Sequence, residues 1–204
     1  MGDVLILHGW QNHRPEGHWQ RWLAGELAAR GHRVRYPQLP DADAPDPAAW
    51  LEALERELAA TRTESLTVVA HSLGGALWAA FAQARAELGI GEPAAARVVL
   101  VAPPSDAFLA SQPVISGFLG EASGGVRDGG TVDRASALAA ASFEPPVLVT
   151  SDDDRVSPTG SPSFAELYGI VPIIVPGAGH FALPDGYGPL PLVLELVEGD
   201  ATAG

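Results

Sequence analysis

In this chain of 204 residues acidic side chains outnumber basic ones 25 to 12, and the formal charge of −13 repels phosphate backbones, so nucleic acid is not an expected partner. Every basic residue is arginine and cysteine is absent, which excludes disulfides, thiolate nucleophiles and cysteine-based metal centres. No uninterrupted apolar run reaches the roughly 18–20 residues of a membrane span, and the length suits one domain.

The first strand is expected almost at Met1, so a secretory signal is not expected and the cytoplasm is the expected compartment. Val4-Leu5-Ile6-Leu7 is a short continuous apolar run, as in a parallel strand covered on both faces, and it ends at His8-Gly9-Trp10. A polar loop, Gln11 to Gly17, precedes Trp19, Trp22, Leu23 and Leu27 at helical spacing, with Gly31 as a C-terminal stop. Val34 and Tyr36 mark a second strand, and Pro37 to Pro47 forms an acidic, proline-punctuated loop. Asp46-Pro47 carries an N-cap and first-turn signature for a helix with Trp50, Leu51, Leu54 and Leu58 on one face.

Leu66 to His71 is the third strand, followed by a helix with the stripe Leu73, Leu77, Phe81 and Leu88. Arg97 to Val101 is the fourth strand. From Ala102 to Pro146 the pattern weakens: Phe108-Leu109 and Val114-Ile115 suggest short apolar contacts, Gly117 to Gly130 reads as mobile, and part of 105–146 is expected to form a rim or lid over a pocket. Pro146 to Ser151 is the fifth strand, ending in Asp152-Asp153-Asp154. A short helix over Phe164 to Leu167 leads to a sixth strand, Val171 to Val175, then to Gly177-Ala178-Gly179-His180. A last helix is expected over Leu190 to Val197, making 1–197 one domain and 198–204 a frayed tail.

Strands alternating with helices predict an α/β fold, a doubly wound parallel sheet with right-handed crossovers and helices on both faces. The expected strand order is 2-1-3-4-5-6. That order sets the carboxyl ends of strands 1 and 3 side by side, at the switch point where open α/β sheets bind ligands.

Within this frame Ala70-His71-Ser72-Leu73-Gly74 reads as a nucleophile elbow, a buried strand turning through a strained serine directly into a helix. Small residues two before and two after the serine, Ala70 and Gly74, let strand and helix approach. The Leu73 amide then lies at a helix N-terminus, where an unpaired donor and the helix dipole favour developing negative charge. A serine hydroxyl needs a base, and the base needs an orienting acid. His180 follows the sixth strand in a glycine-rich loop, and Asp152, Asp153 and Asp154 follow the fifth, so the order serine, acid, histidine is satisfied. The Trp10 amide is the second candidate oxyanion donor beside that of Leu73.

The chain resembles the α/β-hydrolase superfamily, and within it the small serine hydrolases related to retinoblastoma-binding protein 9 and the YdeN-like proteins. The matching residues are V-L-I-L-H-G-W with H-W-Q-R-W-L behind it, the H-S-L-G-G elbow, S-D-D-D-R-V-S-P, and G-A-G-H-F with G-Y-G-P-L-P downstream, spanning residues 4 to about 197. The resemblance implies a hydrolase with little or no lid, lacking the first two antiparallel strands of larger relatives. It also implies which aspartate is the triad acid: the one four residues before a proline, matching Asp154 with Pro158, with Asp153 the alternative. Two departures stand out. Asp154-Arg155 replaces the usual Asp-Pro, and 105–146 is long and glycine-rich.

The expected activity is hydrolysis of a small-molecule carboxylic ester or thioester by Ser72, His180 and Asp154, an esterase-like serine hydrolase needing no cofactor. Acyl transfer or cyclisation on a biosynthetic thioester, or a non-catalytic binding scaffold, are the alternatives. His71 reads as a packing residue pointing away from Ser72, and His8 as a local hydrogen-bonding residue. His8, His13 and His18 match no zinc spacing, and Asp152 to Asp154 lack the pattern of a calcium loop. Trp10 is expected in a pocket wall, Trp19, Trp22 and Trp50 in the core, and the acidic 41–46 segment in a solvated loop.

Overall fold

A computed structural model of the chain describes residues 2–119, 133–157 and 160–199. Six parallel strands, β1 (Asp3–Leu7), β2 (Arg33–Arg35), β3 (Leu66–His71), β4 (Arg97–Val101), β5 (Val147–Thr150) and β6 (Ile173–Ile174), form one sheet in the order β2-β1-β3-β4-β5-β6. This is the order expected above. β6 is shorter than its sequence pattern, because only Ile173 and Ile174 pair with β5.

Among the described residues seven α-helices flank the sheet: α1 (Trp19–Ala29), α2 (Pro47–Ala59), α3 (Leu73–Glu87), α4 (Asp106–Ser111), α5 (Arg134–Ala140), α6 (Phe164–Tyr168) and α7 (Pro191–Glu198). Side chains alternate across a strand, and that parity divides the core. Leu5, Leu7, Val68, Ala70, Val98, Leu100 and Leu148 face Trp50, Leu77, Trp78, Phe81, Leu109 and Leu138 from α2, α3, α4 and α5. Val4, Ile6, Val69, Val99, Val101 and Val149 face Leu23 and Leu27 of α1 and Val193 and Leu196 of α7. Both faces are therefore covered, which is why the central strands read as unbroken apolar runs.

Helix ends follow local chemistry. Asp46 accepts the Ala49 amide and sets Pro47 in the first turn of α2, and a Ser163–Glu166 capping box starts α6. The last helix ends at Glu198 with Gly199 at φ 81°, a left-handed stop that glycine adopts at little cost.

The described parts of 105–146 contribute side chains to the core. Leu109, Ile115, Phe118 and Leu138 are buried in the same core as α2 and α3. The glycine-rich stretch expected to be mobile falls, from residue 120 onward, outside the described residues, as do Pro158 and residues 200–204.

Candidate active site

β3 runs into Ser72 at φ 53° and ψ −125°, a strained conformation for a residue with a side chain. Backbone bonds on both sides hold it: the Ser72 amide donates to the Val101 carbonyl at 2.9 Å, and the Gly75 amide donates to the Ser72 carbonyl at 2.8 Å. The start of α3 lies so close to β1 that a Cβ on Gly74 would stand 2.8 Å from the His8 carbonyl oxygen and 2.9 Å from that of Leu7. The space explains why a small residue two positions after the serine is required. A Cβ on Gly9 would lie 2.7 Å from Ser72 Cβ and 3.1 Å from its Oγ, so the peptide joining Gly9 to Trp10 passes beside the hydroxyl. Among the described residues, neither the Trp10 nor the Leu73 amide has a backbone acceptor.

His180 Nε2 is 2.8 Å from Ser72 Oγ, and its Nδ1 is 3.1 Å from both carboxylate oxygens of Asp154. A carboxylate facing an imidazole accepts its proton, so Nδ1–H donates to Asp154 and Nε2 is left to accept from the serine hydroxyl. Asp154 and His180 are buried, and the Val156 amide also donates to Asp154 Oδ1 at 3.0 Å. The three side chains, 108 residues apart at the extremes, thus share one hydrogen-bonded line.

The neighbouring aspartates have other work. Asp152 accepts the Gly177 amide at 2.8 Å, Ser151 Oγ accepts that of Ala178 at 2.9 Å, and Asp153 accepts that of Gly179 at 2.7 Å. The bond donated by Ser151, with that from the Gly179 amide, holds the Asp153 carboxyl below its ordinary range. The run after β5 is therefore a clamp that grips the loop carrying His180, and its last member alone faces the imidazole.

Arg155, which departs from the Asp-Pro pattern, donates to the Asp185 carboxylate at 3.1 and 3.3 Å. The same carboxylate accepts the His180 and Ala182 amides at 3.0 and 3.1 Å. Ser105, fully buried, donates through both its amide and its hydroxyl to the Val156 carbonyl, at 3.0 and 3.1 Å, tying the start of α4 to the Asp154 turn. Ser105 also caps α4 by accepting the Phe108 amide, and its reach to Val156, like that of Asp185 to Arg155, spans tens of residues of chain that no local pattern marks.

Three further histidines line the floor. His8 Nε2 accepts the Leu39 amide at 2.8 Å, so its Nδ1 donates to the Gly9 carbonyl at 2.8 Å. His18 Nδ1 accepts the Gln20 amide as the cap of α1. Burial lowers the pKa of each to about 4, and that of His71 falls well below its ordinary value for the same reason. His71 is more than packing: its Nε2 lies 2.9 Å from the His180 carbonyl oxygen.

Trp10 is half-buried and donates from Nε1 to the Asp43 carbonyl at 3.0 Å, while the Gln11 amide donates to the Ala42 carbonyl at 2.8 Å. The 41–46 segment therefore anchors the loop after β1 through its backbone, although Asp41 and Asp43 are exposed. Trp19 and Trp50 are fully buried and Trp22 is partly buried. Among the described residues no group of three His, Cys, Asp or Glu side chains is arranged to hold a metal ion, and no helix is long and apolar enough to cross a membrane. A cavity of about 500 Å³ between α5 and α6, lined by Leu138, Pro146, Tyr168 and Val171 among others, contains none of the residues around Ser72.

A six-stranded parallel sheet in this order, with a strained serine where β3 meets α3, defines an α/β-hydrolase fold. The chain belongs to the serine hydrolase family, whose model matches residues 4–199. Among solved structures it is similar to the ydeN gene product from B. subtilis (23% identity, 98% of each chain covered, TM-score 0.72). It is also similar to a YdeN-like hydrolase from Pectobacterium atrosepticum (19% identity, 96% of this chain and 89% of that one, TM-score 0.66). Est1E from Butyrivibrio proteoclasticus, solved with ferulic acid bound, shares 15% identity over 98% of this chain and 88% of that one, with a TM-score of 0.62. A search of curated proteins returned no match.

Proposed function

We propose that this hydrolase cleaves a carboxylic ester or thioester of a small molecule through an acyl-enzyme on Ser72. His180 takes the Ser72 proton as Oγ bonds to the substrate carbonyl carbon, and Asp154 orients the ring and stabilises its cationic form. The Trp10 and Leu73 amides receive the oxyanion. As the tetrahedral species collapses, the bond to the alcohol or thiol breaks and His180 hands its proton to that leaving group. Water then repeats the sequence with His180 as base, releasing the acid and restoring the serine.

The observation that carries this reading is the hydrogen-bonded line from Ser72 Oγ through His180 to Asp154. Both unpaired amides beside the hydroxyl support the oxyanion assignment. The test is reaction with a fluorophosphonate probe together with turnover of p-nitrophenyl acetate and a short acyl thioester. The wild-type chain should be labelled, and Ser72→Ala should abolish labelling and lower kcat by about 10⁴-fold or more. Ordinary ester turnover by Ser72→Ala, or a wild-type chain inert to the probe, overturns the proposal.

A further inference from the structure

His71 is the last residue of β3, adjacent in sequence to Ser72, yet its one hydrogen bond reaches the other side of the site. Its Nε2 is 2.9 Å from the His180 carbonyl oxygen, and a carbonyl can only accept. Nε2 therefore carries the ring proton, and Nδ1 is a buried lone pair with no partner among the described residues. Leaving a buried polar atom unpaired costs stability, so a plain packing position is better filled by an apolar ring. What the histidine supplies is the donor.

That donor meets a peptide that needs holding. The His180 carbonyl and the Phe181 amide belong to one rigid planar unit, whose N–H donates to the Ala178 carbonyl at 3.1 Å. Phe181 follows at φ 52°, a left-handed conformation that persists only when its surroundings impose it. The preceding His180 amide is taken by Asp185. The backbone of His180 is thus gripped on its N–H side by Asp185 and on its C=O side by His71, and the Asp154 carboxylate holds the ring.

Resting on the hydrolytic reading above, we propose that His71 is a positioning residue for His180, acting through the His180–Phe181 peptide. It joins the two halves of the site directly: the strand that ends at the nucleophile fixes the loop that carries the base. The ring of His71 lies 5.0 Å from that of His180, and His18 and Trp19 close its other sides at 5.6 and 5.4 Å. Loss of the donor lets the base shift relative to Ser72 without removing any group that touches substrate.

Three substitutions separate the donor from the bulk: His71→Phe keeps an aromatic ring and removes the donor, His71→Gln keeps a donor at the same reach as Nε2, and His71→Asn places one short of it. With p-nitrophenyl acetate, His71→Phe should lower kcat by about 10- to 100-fold with little change in KM, the scale expected when a reacting group is misplaced by about 1 Å. The fluorophosphonate labelling rate should fall in parallel. His71→Gln should restore both to within about threefold, and His71→Asn should not, because a hydrogen bond fails steeply with reach. In a His180→Ala background, His71→Phe should add no further loss, since the base through which it acts is gone.

A His71→Phe chain labelled at the wild-type rate overturns the inference and leaves the hydrolytic reading standing. So does a loss that persists undiminished in the His180→Ala background, which would place the effect on Ser72 or the fold. If His71→Phe does not fold, the comparison of Gln with Asn decides: Gln faster by about tenfold supports positioning, and equal rates refute it. A wild-type chain that ignores the probe removes both readings.

Discussion

The elbow and the two loops facing it, 151–157 after β5 and 177–187 after β6, hold their groups by different means. At the elbow the backbone does the holding: a strained Ser72, two main-chain bonds and glycines pressed against β1 and Ser72 fix the main chain that carries the hydroxyl. Across the cleft, polar side chains grip main-chain amides one by one, Asp152 on Gly177, Ser151 on Ala178, Asp153 on Gly179 and Asp185 on His180. A nucleophile at the end of a central strand inherits the rigidity of the sheet. A base on a loop beyond a two-residue edge strand has little sheet to inherit and must be fastened by side chains.

This difference is open to attack at graded strength. The largest effect should come from Asp154→Asn, which keeps the shape of the line but reverses the tautomer preference of His180, and kcat should fall by about 10³- to 10⁴-fold. Its neighbour Asp153→Asn, exposed and removed from the imidazole, should cost no more than about tenfold, consistent with loss of one charge-assisted bond to an amide. Equal losses at the two positions, measured as kcat on the same ester, would erase the distinction between the acid and the clamp.

Acid should strike the elbow side through its floor. His8 and His18 are held near 4 by burial, whereas unfolded histidine titrates near 6.5. Between those values the unfolded chain binds more protons, so stability is complete above about 6.5 and is lost as pH falls toward 4. The loss should be on the order of 3 kcal/mol for each of the two. Thermal midpoints compared at pH 7 and pH 4.5 check this, and His8→Gln should flatten the profile.

Gly9→Ala tests close approach alone. The added Cβ meets Ser72 Cβ at 2.7 Å, and the displacement of the Trp10 amide should lower kcat by about 10- to 100-fold, with KM changing little. The smallest effect should be at Arg155→Ala. Its pair with Asp185 lies near the surface, with the arginine 57% exposed, and such pairs contribute up to about 1 kcal/mol. The variant should lose less than about fivefold in activity, and raising salt in the wild type should reproduce part of the loss.

Much of this could be read from local sequence. The unbroken apolar runs at Val4 to Leu7 and Val98 to Val101 point to strands covered on both faces, and Ala70-His71-Ser72-Leu73-Gly74 can turn from strand to helix because its small residues permit the approach. Those are short-range consequences of side-chain size and backbone sterics, so a single stretch of chain carries them. Alternation and handed crossovers, which depend on element type alone, imply a parallel sheet but allow more than one strand order.

What tertiary structure decided is which polar groups meet. Apart from the spacing to Pro158 that the family resemblance makes meaningful, nothing local separates Asp152, Asp153 and Asp154, yet their neighbours in space make two of them clamps and one the partner of His180. His71 reads as packing from its place on β3. It meets the His180 carbonyl only when the third and sixth strands end at the same edge of the sheet, whereas Asp185 reaches the His180 amide from within the same loop. Hydrogen bonds reach about 3 Å, so their partners are set by the fold, whereas strand and helix are set by the chain.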